Sequence, residues 1–198
     1  MNELNGSLFL LVNASTYPNS IWVTIAKFFA EDAIFLIPIT LVIGWLRGGE
    51  SARKLMLVAA ASGLAGLLIA QLIGLVWKHP RPFMLGLGNQ LIPHVADSSF
   101  PSDHLTLLWS VTFSFVMHLK HRAAGILCTL LGLPVAWARI YLGVHFPLDM
   151  LGAIAVALFS AWLCFREEQR FIEPVYTLTH TIYARLFARL IRGGWVLK

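Results

Sequence analysis

Long apolar runs, interrupted only by short polar intervals, constrain this chain more than any other feature. They cover Ile21–Leu46, Leu55–Trp77, Leu105–Leu119, Ala123–Trp137 and Pro147–Phe165. A helix needs about 20 apolar residues to cross the hydrocarbon core of a bilayer. Within lipid, every backbone N–H and C=O must be satisfied inside the segment, and for runs of this length the α-helix does that. The expected fold class is therefore all-α: a polytopic membrane helix bundle of five spans, six if residues 1–20 also cross, with interfacial helices. The third run is short, so its helix is expected to begin near Pro101, proline being suited to a first helical position. Composition agrees, with 58% hydrophobic and 13% charged residues and a mean hydropathy of +0.72, far from the norm of soluble domains.

The formal net charge of +5 does not point to nucleic acid. The basic residues lie between apolar runs, and no basic stripe is interleaved with exposed aromatics. They read as a topology signal instead. With five spans, the breaks at 78–104 and 138–146 share one side, while the turns at 47–54 and 120–122 and the C-terminal tail share the other. Arg47, Arg53, Lys54, Lys120, Arg122 and the tail make the second side the richer in basic residues, so the two breaks are expected to face outward.

Residues 1–198 read as a single membrane-embedded domain. Leu4, Leu8, Leu11 and Val12 recur at helical spacing in residues 1–20, which suits an interfacial segment or cap. Residues 166–198 alternate Arg with Tyr, Phe and Leu and read as an amphipathic cytoplasmic tail. No basic start precedes Leu8–Val12, so a cleaved signal peptide is not expected. Cys128 and Cys164 lie inside apolar runs and read as buried small side chains rather than a disulfide or metal pair.

Three polar clusters sit at the ends of the runs: Lys78-His-Pro-Arg81-Pro82, Pro101-Ser102-Asp103-His104, and Arg139 through His145 to Asp149. Arg81 and Arg139 carry planar forks matched to paired phosphate oxygens. Ser102 adds a hydroxyl, and a helix starting near Pro101 would aim the free amides of residues 102–104 at the same anion. His145 and Asp149 are four residues apart with Pro147 between them, so a first-turn carboxylate can reach back to the imidazole and fix its tautomer. The other ring nitrogen is then a nucleophile, and His104 is placed to act as general acid and then base. This set accounts for phosphoryl transfer through a phosphohistidine. No Cys/His or multi-carboxylate spacing suggests a metal, and no Walker loop is present; no cofactor is expected.

Arg81-Pro82, Pro101-Ser102-x-His104 and Arg139-x5-His145-x3-Asp149 together resemble the three-part signature of the type 2 phosphatidic acid phosphatase superfamily of membrane lipid phosphatases, over roughly residues 55–165. The resemblance implies His145 as nucleophile, Asp149 as its orienting partner, His104 as general acid, and Arg81, Ser102 and Arg139 as phosphate ligands. Two positions depart from the pattern. Gly74 stands where the family often has lysine, and Ala138 where a serine commonly precedes the arginine. Lys78, one helical turn beyond Gly74, could supply the missing amine, and Asp103 completes the phosphate-binding set.

The His-Pro-Arg-Pro-Phe and Phe-Pro-Ser-Asp-His runs are similar to those of bacterial undecaprenyl-diphosphate phosphatases linked to bacitracin resistance. That subgroup implies removal of the terminal phosphate of the C55 isoprenoid diphosphate at the outer face of the bacterial cytoplasmic membrane, recycling the carrier for peptidoglycan synthesis. The partners implied are a membrane lipid substrate and the bilayer, and no nucleic acid. Alternatives are a phosphatase of phosphatidic acid or phosphatidylglycerol phosphate, a lipid-to-lipid phosphotransferase, and, in another class, a small transporter or resistance channel.

Each cluster residue also has a bland reading. Arg139 and Lys78 could be snorkelling interface residues, Asp149 a helix cap, and His104 the polar end of a span. Lys27, Glu31 and Asp32 are ionisable groups inside an apolar run, where such groups are functional by default. Lys27 and Glu31 are spaced for an i,i+4 ion pair, while Glu31 or Asp32 could orient a site arginine or help handle a diphosphate. His79, His94, His118, His121 and His180 read as interfacial.

Overall fold

The computed structural model describes residues 3–197. Helix α1 spans Glu3–Val12, and α2 (Ser20–Lys27) runs through a π-helical turn (Phe28–Asp32) and a 3-10 turn (Ala33–Phe35) into α3 (Leu36–Arg47). Then follow α4 (Glu50–Val76), α5 (Asp103–Met117), α6 (Arg122–Leu130), α7 (Gly132–Tyr141), α8 (Pro147–Leu186) and the short α9 (Ala188–Arg192). The all-α expectation holds: no strand occurs among the described residues.

Among the described residues, four helical stretches are long and apolar enough to cross a membrane: Ser20–Arg47, Glu50–Val76, Leu119–Tyr141 and Pro147–Leu186. The expected count of five is not confirmed. The fifth candidate, α5, has 15 residues, about 22 Å at 1.5 Å per residue, against a hydrocarbon core of about 30 Å. Its axis is nonetheless the centre of the molecule, because α4, α5 and α8 pack on one another along their lengths. Small residues permit that approach: Gly66 of α4 faces Ser110 and Thr106 of α5 and Ser160 of α8. Hydroxyls then bond across the helices, Ser110 to Ser160 at 2.9 Å and Ser114 to Ser62 at 2.8 Å. In an apolar surround such contacts replace the hydrophobic drive that lipid cannot supply.

Several boundaries differ from the sequence-based expectations. α5 begins at Asp103 with Ser102 as its N-cap, two residues after Pro101. The fourth stretch continues to Tyr141, so Arg139 sits on the last turn of α7 rather than in the following break. α8 does not end at Phe165: the charged continuation Arg166–Arg170 consists of good helix formers, with Glu167 paired to Arg170, and the helix runs on through Pro174 to Leu186. Its far part returns to the bundle, where Tyr183 stacks on the buried Arg53 guanidinium opposite Trp45.

At ten residues α1 is about 15 Å long and cannot cross a bilayer. It is a docked cap. Phe9 is fully buried against Phe146, and Asn5 accepts from the amide of Leu148. Past α1, the Asn13 side chain accepts from the Asn89 amide at 2.7 Å and donates to the carbonyls of Asn89 and Tyr141. These bonds tie the N-terminal cap to both polar breaks. Gly143 completes the fastening: at φ +83° it takes a left-handed turn directly against the Asn89 carbonyl, a place where a Cβ has neither the backbone freedom nor the room.

Candidate active site

The three clusters converge at one end of the bundle. His145 lies in the five-residue link between α7 and α8 and is 1% exposed. α8 begins immediately after it, with Pro147 at its start and Asp149 in its first turn. That turn brings the Asp149 carboxylate back to the imidazole, with His145 Nδ1 3.2 Å from Asp149 Oδ2 and 3.0 Å from the Ser99 carbonyl. Both neighbours are acceptors, so Nδ1 carries the proton and Nε2 keeps its lone pair. The carboxylate is held by the Phe146 amide at 2.7 Å and by the Ser99 hydroxyl.

Nε2 faces the two arginines. Arg81 Nη1 lies 3.0 Å away and Arg139 Nη2 3.4 Å. Burial above all, and then the charges of Arg139 and Arg81, hold the His145 pKa well below the ordinary imidazole value. The ring is thus neutral at physiological pH and presents its lone pair toward positive charge.

The guanidiniums are buried, at 3% and 2% exposure, and are anchored differently. Arg81 donates from Nε to Asp97 at 2.7 Å, from Nη1 to the Val144 carbonyl at 2.9 Å and from Nη2 to the Ser98 carbonyl at 3.1 Å. Arg139 donates from Nη1 to the Ala30 carbonyl at 3.2 Å and from Nη2 to His94 at 3.0 Å, while its Nε has no partner among the described residues. The Ala30 carbonyl belongs to the π-helical turn of the first long stretch.

Among the described residues, the Ser102 hydroxyl is buried without a partner, and the Asp149 Oδ1 atom is likewise unpaired. His104 follows in the first turn of α5, half-buried and free of hydrogen bonds among the described residues. It lies near enough to His145 to contribute to that residue's lowered pKa. Asp103 turns to the neighbouring cavity of about 420 Å³, where it accepts from Gln71 at 2.8 Å. Lys78 is exposed and lines the same cavity beside Gly74, but makes no hydrogen bond among the described residues.

Glu31 and Asp32 are exposed and form no hydrogen bond or ion pair among the described residues, and the Lys27–Glu31 pair does not form. The reason is local. In a π-helical turn the repeat lengthens beyond 3.6 residues, so residues 27 and 31 no longer stack as an i,i+4 pair. It is the backbone at Ala30, not either carboxylate, that reaches Arg139.

Three residues near the centre were not selected from the sequence. Asp97 and Ser99 belong to the short polar run Asp97-Ser98-Ser99 ahead of the Pro101 cluster, in an irregular interval where spacing does not single them out. His94 was read as interfacial; it instead contacts Arg139, with its ring 6.2 Å from that of His145. The signal available was its place in the one long polar break beside two proline-bearing clusters.

The profile of the PAP2 superfamily matches residues 54–173, which contain every one of these polar groups except Ala30 and the carboxylates beside it. The chain belongs to the PAP2 superfamily. Among curated relatives, Undecaprenyl-diphosphatase BcrC of Bacillus subtilis is 35% identical over 189 residues, covering 96% of each chain. The Escherichia coli protein YbjG is 34% identical over 197 residues, covering 99% of this chain and 98% of its own. Among solved structures, Aquifex aeolicus LpxE superposes with a TM-score of 0.63 at 23% identity, covering 82% of this chain and 95% of that one. That likeness concerns the fold. PAP2 membership makes this chain a phosphatase.

Proposed function

We propose that this PAP2 protein hydrolyses undecaprenyl diphosphate to undecaprenyl phosphate and inorganic phosphate. The observation that carries the reading is the state of His145: Nδ1–H engaged by acceptors, and the Nε2 lone pair aimed at two buried guanidiniums. A terminal phosphate brought to those guanidiniums would put its phosphorus before a nitrogen that is already neutral and oriented. Near-full coverage of BcrC and YbjG supports the choice of lipid.

In this mechanism Nε2 attacks the terminal phosphorus, the bond from phosphorus to the bridging oxygen breaks, and His104 gives that oxygen a proton. Arg139, Arg81 and Ser102 take the charge of the equatorial oxygens, where fixed donors act most strongly. Asp149 stabilises the imidazolium-like ring that results. Water then attacks the phosphohistidine, its proton passes to His104, and the P–N bond breaks to release inorganic phosphate. Asp103 and Lys78, in the adjoining cavity, are assigned to the phosphate that stays on the lipid. Glu31 and Asp32 are assigned a weaker role, lending negative potential near Arg139 without contact.

Five segments are taken to cross the bacterial cytoplasmic membrane, α5 among them, with the site outward. The preponderance of Arg and Lys at the opposite end supports that orientation. Purified protein offered undecaprenyl diphosphate, phosphatidic acid and phosphatidylglycerol phosphate in EDTA tests the assignment. Fastest phosphate release from the isoprenoid substrate is expected. Preference for either glycerolipid, or phosphate recovered on a second lipid instead of in water, would reassign the substrate or the reaction. A transporter reading gains nothing from this site, whose ionisable groups gather at one end instead of along a path.

A further inference from the structure

The two site arginines are each closed off by one side chain of a single short strap. Before it, the Leu91 amide bonds the Leu142 carbonyl at 3.0 Å, and Ile92 is buried among Ala138, Leu142 and Val144. After it, the Ser99 amide bonds the His79 carbonyl at 2.7 Å. Between these anchors, Pro93, Val95, Ala96 and Asp97 are exposed, and His94 and Ser98 are half-buried. His94 holds Arg139 and Asp97 holds Arg81.

The two contacts differ in what they leave open. The side-on fork of an arginine that meets two oxygens consists of Nε and Nη2. On Arg81 both are committed, to Asp97 and to the Ser98 carbonyl. On Arg139, Nε is buried with no partner among the described residues, and Nη2 is held by His94 Nε2 at 3.0 Å, with His145 Nε2 farther off at 3.4 Å. The opposite ring nitrogen, Nδ1, lies 3.1 Å from the Val95 carbonyl and donates to it, so this imidazole is neutral and serves as an acceptor. An unpaired buried N–H costs free energy, and an oxyanion would satisfy both members of the fork at once.

We propose that His94 is a positioning residue that occupies the bidentate edge of Arg139 in the substrate-free enzyme and is displaced from it by the incoming phosphate, so that it sets phosphate affinity. The proposal rests on the reading of Arg139 as a phosphate ligand. An internal competitor lowers apparent affinity by the fraction of time it holds the site. Protonated His94 could no longer accept from Arg139, and it would add a positive charge beside the anion. The charged and titratable groups facing it are Arg139, Arg81, Asp97, His104 and His145. Burial lowers its pKa, so release occurs on the acid side of the usual imidazole range.

The probe is sulfate, whose charge is constant between pH 5 and 8, used as a competitive inhibitor of phosphate release by the full-length protein in detergent. In the native enzyme, inhibition should strengthen as pH falls. His94→Ala should inhibit about fivefold more tightly at pH 8 and show a flatter pH dependence. His94→Gln, whose amide oxygen can accept from Arg139 but cannot titrate, should restore the native inhibition constant at pH 8 without restoring the slope. Native constants and slope in both variants would overturn the proposal. Arg139→Lys separates it from the underlying reading: weakened sulfate inhibition there with no effect at His94 defeats only the role of His94. Unchanged inhibition in Arg139→Lys would defeat the phosphate reading and the proposal with it.

Discussion

The His145 ring is buried in its neutral form, and this has a consequence for stability as well as for chemistry. Its pKa lies below the value of about 6.5 expected in an unfolded chain, so below that pH the unfolded state binds more protons. The contribution is fully present above pH of about 6.5 and is lost as pH falls from there toward the folded-state pKa. Thermal melting in detergent should therefore fall between pH 7 and 5, with a smaller fall in His145→Gln. Equal slopes would show that other groups dominate. Ser99 acts one step further out, through the Asp149 carboxylate it holds. Ser99→Ala should lower kcat by about tenfold, in line with the loss of one hydrogen bond to a charged group, leave KM near the native value, and be partly rescued by Ser99→Thr. At this scale the sequence was readable where spacing within one element makes the contact, as for His145 and Asp149 across the start of α8. It was unreadable for Asp97, Ser99 and His94, which meet their partners across 16, 50 and 45 residues of chain, only through the path of an irregular loop.

Among elements, the π-helical turn at Phe28–Asp32 does with its backbone what the carboxylate of Glu31 or Asp32 was expected to do: it reaches Arg139, at Ala30. Deleting Glu31 would let an ordinary α-helix form and withdraw that carbonyl, whereas Glu31→Gln keeps the turn. The deletion is expected to reduce turnover by more than about 100-fold, the scale of losing a positioned donor in a charged site. Glu31→Gln and Asp32→Asn should stay within about threefold of the native rate, as befits exposed charges. A large loss in either point variant would return the role to the carboxylate. The link between α7 and α8 is equally exacting at Gly143. Gly143→Ala should lower the melting temperature by about 4 °C or more, from the cost of a left-handed non-glycine residue and the nearby Asn89 carbonyl. Neither feature has a sequence signature, since a π turn carries no distinctive composition and Gly143 is one glycine among 15.

For the whole molecule, the length of the apolar runs conveyed the all-α class, and three clusters at the ends of those runs conveyed that they meet. Length alone could not settle how many helices cross. α5 is too short to qualify by itself, and α8, at 40 residues, is far longer than a span requires. The outward orientation can be checked with single cysteines in a Cys128→Ser, Cys164→Ser background. Ala96→Cys on the strap should react with an impermeant maleimide in intact cells, and Gly49→Cys between α3 and α4 only after lysis. The reverse pattern would place the site on the cytoplasmic side.

The central claim is that His145 Nε2 takes the phosphoryl group. It is tested most directly by rapid acid-free quenching of the enzyme with substrate labelled in the terminal phosphate, followed by mapping of the label. An alkali-stable, acid-labile phosphate on His145, absent from His145→Ala along with phosphate release, is the predicted result. Phosphate release that persists in a folded His145→Ala variant would contradict it.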